Sequence, residues 1–115
     1  MANEDPVVTD PEHYRTVFEN EYVRVLEYHD EPGDQTHPHV HPNSLMITLS
    51  GFRRQLEVNG TVREVQLEAS RSVWLPAQRH TGRNIGTTPT HTMLVELKGP
   101  AAGIPTEGML GPDVP

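Results

Sequence analysis

The chain of 115 residues contains no cysteine. Disulfides, thiolate metal ligands and cysteine nucleophiles are therefore excluded. Because small secreted domains often depend on disulfides, the absence favours a cytoplasmic protein. A signal peptide is not expected either, since the first six residues are acidic and lack an apolar stretch.

Positive charge is also scarce. Nine Lys and Arg residues stand against 16 Asp and Glu residues, which gives a formal net charge of −7. Since such a surface repels phosphate groups and no basic run offsets it, nucleic acids and anionic membranes are not expected as partners. No apolar run reaches the ~20 residues that a membrane-spanning helix needs. The length suits one domain with one core.

Long stretches with helical periodicity are missing as well. The chain has 9 Gly and 11 Pro spread along it, and its middle part breaks into short runs rich in Val, Leu, Ile, Thr and Tyr. Asn59-Gly60 lies between two of these runs and predicts a tight hairpin turn. The runs predict β-strands at residues 14–19, 22–29, 44–49, 52–58, 62–67, 72–75, 81–85 and 91–97. Many short strands at similar spacing indicate a sandwich or barrel.

Alternation of apolar residues predicts which side chains share a face of two of these strands. In the predicted strand 44–49, Leu45, Ile47 and Leu49 share one face. In the last predicted strand, the residues that share a face with His91 are Met93, Val95 and Leu97. His91 is therefore expected to point inward, either as a satisfied core histidine or as a base in a cavity.

The two ends of the chain differ in composition from the middle. Residues 1–12 contain two prolines, and residues 99–115 contain four prolines and four glycines. We predict an N-terminal extension and a C-terminal tail, neither of which forms an ordinary helix or a central strand. The tail is either flexible, which we favour for residues 111–115, or draped over the rest of the fold or over a partner subunit. The anchors of a draped tail would be Ile104, Met109 and Leu110.

Histidine is abundant, with seven residues, and three of them lie within residues 37–41, which read His-Pro-His-Val-His. Neutral imidazole is the commonest protein ligand for transition metals. Because residues two apart on an extended strand point to the same face, either His37 with His39 or His39 with His41 can offer two nitrogens to one ion. The cluster therefore predicts a metal site whose third ligand lies elsewhere in the chain.

One stretch around these histidines resembles the first sequence motif of the cupin family. The pattern is Gly33, five residues, His39, one residue and His41, with Gly51 ten residues later. Counting back from Gly51 gives His37 and His39 as the pair instead, but Gly33 then no longer fits. We therefore favour His39 and His41, with His37 as a neighbour at the mouth of the site.

A second stretch, residues 75–84, resembles the second cupin motif. It contains Pro76, then His80, then three residues and Asn84. The two motifs occur in the right order with a predicted hairpin between them, which makes the combination more specific than either part. The resemblance covers roughly residues 14–98.

The resemblance implies an all-β fold, the double-stranded β-helix or jelly-roll barrel, for residues 13–98. It also implies a metal ion in the mouth of the barrel, held by His39, His41 and His80. Fe, Ni, Mn and Zn all accept three nitrogen ligands, so the sequence does not choose among them. Small cupins are commonly homodimers, and residues 14–19 are the strand that two subunits would exchange here.

The glutamate that cupins usually add to this ligand set is missing. Its place falls on Met46 or Leu45, or on Ser44 in the alternative register, and no Asp or Glu occurs between Asp34 and Glu57. Three neutral ligands leave a divalent ion its full charge and open positions.

The ligand set that the resemblance implies points to an enzyme acting on a small anion: a carboxylate, a β-dicarbonyl or a phenolate. A dioxygenase is the first expectation. A non-oxidative isomerase, lyase, cyclase or hydrolase is an alternative, and so is a protein that binds a small molecule without catalysis. Substrate identity is beyond what the residues determine, because one fold hosts many chemistries.

The alternation of side chains between the two faces of a strand adds further candidates for the cavity. Arg54 shares a face with Leu56, and it can either reach inward to a substrate carboxylate or stay solvated at the strand end. Phe52 and Trp74 can wall a pocket or pack in a core or dimer interface. The candidate catalytic residues are therefore His37, Arg54 and His91.

Overall fold

The computed structural model describes residues 3–113, most of which lie in β-strands or the turns between them. In chain order the elements are α1 (Pro6–Thr9), β1 (Tyr14–Glu19), β2 (Val23–Asp30), β3 (His39–His41), β4 (Ser44–Thr48), β5 (Phe52–Val58), β6 (Thr61–Leu67), β7 (Ser72–Leu75), β8 (Gln78–Asn84), β9 (Thr90–Leu97) and a 3₁₀ turn (Gly99–Ala102). Neither helical element in this described part has the length or hydropathy to cross a bilayer.

The strands form two antiparallel sheets around one core. The order is β1-β2-β9-β4-β7 in the five-stranded sheet and β3-β8-β5-β6 in the four-stranded sheet. Their inner faces contribute together to one cluster of buried apolar side chains, among them Leu26 and Leu94 from the first sheet and Leu56 and Val65 from the second. This arrangement is the jelly-roll form of the double-stranded β-helix, so the predicted all-β fold class is confirmed.

Most predicted strands occur where the apolar runs placed them, and β1, β5 and β7 match to the residue. The hairpin turn between β5 and β6 is also present, since Asn59 (φ 49°) and Gly60 (φ 82°) both have the positive φ that this turn requires. Two strands differ from the predicted list, because β8 begins at Gln78, three residues earlier than predicted, and β3 is not in the list.

The apolar alternation in β4 and β9 identified the outer face of the sheet, whereas the core lies on the opposite face. Leu45 and Leu49 are 37% and 49% exposed. The buried, inward residues of these strands are Ser44, Met46, Thr48, Thr90, Thr92, Leu94 and Glu96. Because most of these inward residues are polar, the hydrophobic alternation is stronger on the outside, and the sequence pattern selected that side.

The N-terminal extension contains a single helical turn of four residues, which is too short to be an ordinary helix. Asp5 caps α1 by accepting a hydrogen bond from the Val7 amide at 3.1 Å. Pro6 is compatible with the first helical position because the amide at that position has no partner within a helix.

The C-terminal segment packs against the barrel. Leu110 joins the apolar core and Pro112 is fully buried, while Asp113 forms an antiparallel bridge with Trp74. Arg63 on β6 holds the segment by donating hydrogen bonds to the carbonyl oxygens of Leu110 and Pro112 at 2.8 and 3.1 Å.

This packing corrects the flexible tail that we favoured for the last five residues. The structure places the chain on the barrel as far as Asp113, and residues 114–115 lie outside the described part. Of the expected anchors of a draped tail, Leu110 is buried, whereas Ile104 and Met109 are 84% and 36% exposed.

Candidate metal centre

Two strands of the four-stranded sheet bring three histidines together. β3 runs antiparallel to β8, and His39 lies directly opposite His80. His39 and His41 are two residues apart, so they point to the same inner face. All three side chains are buried, and a ring nitrogen of each lies within 4.8 Å of those of the other two. The residues that the cupin resemblance named as ligands therefore form one cluster.

Two of these imidazoles are fixed from behind by hydrogen bonds that leave Nε2 free for a ligand. Nδ1 of His39 donates to the carbonyl oxygen of His37 at 2.8 Å, and Nδ1 of His80 donates to Oε1 of Gln78 at 2.7 Å. When the proton of a neutral imidazole is on Nδ1, the lone pair is on Nε2. Both rings therefore present a metal-binding nitrogen to the cluster.

Gln78 is itself held by the C-terminal segment. Its Oε1 also accepts a hydrogen bond from the Gly111 amide at 2.7 Å, and its Nε2 donates to the carbonyl oxygens of Pro76 and Gly111 at 2.9 and 3.1 Å. These partners determine which end of the amide faces His80. In the sequence, only its position indicated that Gln78 could support His80. It lies two residues before His80 and therefore on the same face of the strand.

The N-terminal extension holds the backbone of His37, whose carbonyl oxygen accepts the hydrogen bond from His39. Asp10, which is fully buried, accepts hydrogen bonds from the His37 amide at 3.0 Å and from Nδ1 of the His37 ring at 2.9 Å. The His37 side chain is 72% exposed and pairs with Asp10 rather than entering the cluster. The fold therefore does not bring His37 together with His39 as a ligand pair. It also does not place His37 where a catalytic residue would lie.

The buried rings of His39 and His80 favour the neutral form. Burial, with the neighbouring His41, lowers the pKa of His39 to about 3. Burial also lowers the pKa of His80 well below its usual value, helped by the other two histidines. Neutral imidazole is the form that binds a metal ion. Both rings are thus ready as ligands at neutral pH without first losing a proton.

A cavity of about 60 Å³ lies next to the three histidines. Since one water needs ~10–15 Å³ of such space, the cavity holds on the order of four water-sized groups. Its apolar lining consists of Met46, Phe52, Leu56, Val65, Leu75, Leu94 and Pro112. Met46 thus occupies the inner position where cupins usually have a glutamate, whereas Leu45 points outward.

Tyr14, the first residue of β1, is a cavity residue that the sequence did not reveal. Its hydroxyl lies 3.5 Å from Nε2 of both His39 and His41. Burial raises the pKa of this phenol, so Tyr14 stays protonated and acts as a hydrogen-bond donor. In the sequence Tyr14 marked only the start of a strand, because its place beside the histidines depends on pairing across the barrel.

Arg54 points into the cavity instead of staying solvated, but its charge is compensated. It donates hydrogen bonds to Oδ2 of Asp30 at 2.5 Å, to Oγ1 of Thr90 at 3.1 Å and to the Tyr28 hydroxyl at 3.1 Å. Burial opposes ionisation of Asp30, but the Arg54 charge and the hydrogen bonds that Asp30 accepts from Tyr28, Arg54 and Asn84 outweigh it and lower the pKa of Asp30. A Cβ at Gly82 would lie 2.9 Å from the guanidinium, so glycine makes room for it.

His91 was expected to point inward, and this prediction is wrong. It lies on the outer face of the five-stranded sheet, where its Nε2 pairs with Oε2 of Glu27 at 2.8 Å. Trp74 is also on the outer face and 38% exposed, so of the two aromatic candidates only Phe52 lines the cavity. His91 is therefore removed from the candidate catalytic residues.

Comparison with solved structures places this fold among the cupins. A cupin domain protein from Bordetella pertussis Tohama I has 24% sequence identity and a TM-score of 0.70, over 75% of this chain and 92% of the other. A protein with a double-stranded β-helix domain from Klebsiella pneumoniae has 24% identity and a TM-score of 0.59, over 89% and 84% of the two chains. A predicted oxalate decarboxylase from Thermotoga maritima has 18% identity and a TM-score of 0.52, over 71% and 76%.

No protein-family model and no curated protein matches the chain. At these identities the solved structures show the fold, and the chain has the cupin double-stranded β-helix. The three buried histidines in it could hold a metal ion. What the site does has to be argued from its own side chains.

Proposed function

We propose that this protein is a metal-dependent enzyme that uses O₂ to convert a small, singly charged anion. The observation that carries the proposal is the cluster of His39, His41 and His80, which are buried, close together and next to a cavity. Two of them present Nε2 because hydrogen bonds occupy their other nitrogen. A divalent transition metal such as Fe, Ni, Mn or Zn fits this donor set.

An ion held by three imidazoles would keep its +2 charge and open positions, and so would supply stabilisation of an anionic substrate and, if it is redox-active, electron transfer to O₂. The protein supplies the rest. Tyr14 can donate a hydrogen bond to a substrate oxygen beside the histidines, since its hydroxyl is within 3.5 Å of two of them. The apolar lining excludes bulk water and strengthens these electrostatic interactions.

The size and charge of the cavity narrow the substrate. The cavity of about 60 Å³ favours a substrate with few non-hydrogen atoms. The Arg54 charge is compensated by Asp30, so a bound metal would be an uncompensated positive centre facing the cavity. A monocarboxylate or the enolate of a small β-dicarbonyl suits this arrangement better than a dianion.

The test begins with metal analysis of protein purified without chelators. We expect about one transition metal per chain. An oxygen electrode then follows O₂ uptake with acetate, pyruvate and a simple 1,3-diketone as probes, with the metal-free protein as control. Protein that contains no metal, and gains no thermal stability from added Fe(II), Ni(II), Mn(II) or Zn(II), would contradict the proposal.

An oxygen-independent lyase is the second candidate. It is suggested by the fold likeness to the predicted oxalate decarboxylase from T. maritima. The same assays under anaerobic conditions separate the two candidates. Substrate loss that continues at full rate without O₂ would support the lyase and overturn the oxygen-dependent reaction.

A further inference from the structure

Two buried polar atoms face each other without a hydrogen-bond partner. Nδ1 of His41 and Oε2 of Glu96 are 3.5 Å apart, and neither has a hydrogen bond to any described residue. The side chains are only 2% and 4% exposed, so bulk water does not reach them. Leaving such groups unpaired is costly, and a small shift of the His41 ring brings them within hydrogen-bond distance.

Glu96 is held in place from its other side. Its Oε1 accepts a hydrogen bond from Nε of Arg24 at 2.7 Å. Arg24 in turn donates to both carboxylate oxygens of Asp5, at 2.8 and 3.0 Å. The carboxylate of Glu96 therefore has one oxygen committed to Arg24 and the other directed at His41.

We propose that Glu96 is a positioning residue for the metal site. It accepts the Nδ1 proton of His41 and thereby keeps the Nε2 lone pair of this ring directed at the cluster. His39 and His80 have acceptors in the equivalent place, so Glu96 completes the set. This inference rests on the proposed metal site. It means that a carboxylate does serve the site, but from β9 and behind a ligand rather than from the usual motif position.

Glu96→Gln tests this role sharply, because an amide cannot replace the carboxylate here. Arg24 has only donors, so the amide oxygen must face Arg24 and the NH₂ group must face His41. That NH₂ group donates to Nδ1, and the proton of the ring moves to Nε2, the atom that a metal needs. We expect the Zn(II) dissociation constant to rise about 10–100-fold.

The matched control is Glu27→Gln, because Glu27 also pairs with a histidine, His91, but on the outer face of the same sheet. Zn(II) affinity is measured by competition with a chelator, and thermal unfolding verifies that each variant folds. The control is expected to leave the dissociation constant within about twofold, since that pair is remote from the cavity. Equal affinity in wild type and Glu96→Gln would overturn the inference.

A second readout needs no metal. Long-range ¹H–¹⁵N NMR of the metal-free protein at pH 8 should show the His41 proton on Nδ1 in wild type and on Nε2 in Glu96→Gln. Adding Arg24→Met frees the new amide to turn its oxygen to His41, and this double variant should restore the wild-type tautomer. An Nε2 proton in the wild type would overturn the inference. A wild type with the expected tautomer but no metal affinity would contradict the proposed function instead.

Discussion

His80→Ala is expected to abolish metal binding while the barrel stays folded. Two imidazoles on one short strand would remain, and β8 would contribute no ligand to complete the site. The loss of affinity should exceed about 100-fold, because removing a residue that merely supports a ligand already costs ~10–100-fold. Metal content by elemental analysis and titration of the metal-free protein with Zn(II) measure the effect.

His37→Ala and His91→Ala are the controls for this prediction. Both residues are histidines that the sequence put forward, but the structure places their side chains on Asp10 and on Glu27. Neither variant should change the metal content. If His37→Ala lost the metal and His80→Ala kept it, the cluster described here would not be the metal site.

Asp30→Ala is expected to destabilise the protein by about 3–5 kcal/mol, since it leaves the buried guanidinium of Arg54 without its counter-charge. Asp30 also accepts hydrogen bonds from the Asn84 side chain at 3.0 Å and the Thr90 amide at 3.2 Å, which would be left unpaired. Urea unfolding measures the loss of free energy of unfolding. The double variant Asp30→Leu with Arg54→Met should recover a large part of it, because no charge remains buried.

The matched control is Glu64→Ala on β6, which pairs with β5, the strand of Arg54. Glu64 pairs with Arg53 at 3.0 Å, and both side chains are more than half exposed, at 53% and 55%. Exposed pairs contribute about 0–1 kcal/mol, so this variant should change little. A loss for Asp30→Ala no larger than for Glu64→Ala would mean that the buried pair does not matter for stability.

Local patterns predicted the parts of this protein that depend on neighbouring residues. Asn59-Gly60 marked the hairpin because both residues tolerate positive φ, and several apolar runs gave strand bounds to the residue. The spacing of His39 and His41 placed both on one face, since a strand alternates with a period of two. His80 came from the resemblance of a second motif, and the antiparallel register of β3 and β8 put it opposite His39.

The alternation of apolar residues predicted the wrong buried face where the inner face of a strand is polar. In β9 the inward residues include Thr90, Thr92 and Glu96, while the outward ones are largely apolar, so His91 was assigned to the wrong side. An alternating pattern determines that two faces differ, but the identity of the buried face depends on what the strand packs against. That information lies in the opposite sheet, far away in the chain.

The sequence by itself therefore determined the all-β class, the hairpin and the histidines that form the cluster, because each depends on short-range geometry or on a motif. The tertiary structure decided what surrounds them. Tyr14 beside the rings, Glu96 behind His41 and the compensated charge of Arg54 all arise from contacts between strands remote in sequence. The two terminal segments gained their roles in the same way, since the partners that hold them become neighbours only once the barrel has closed.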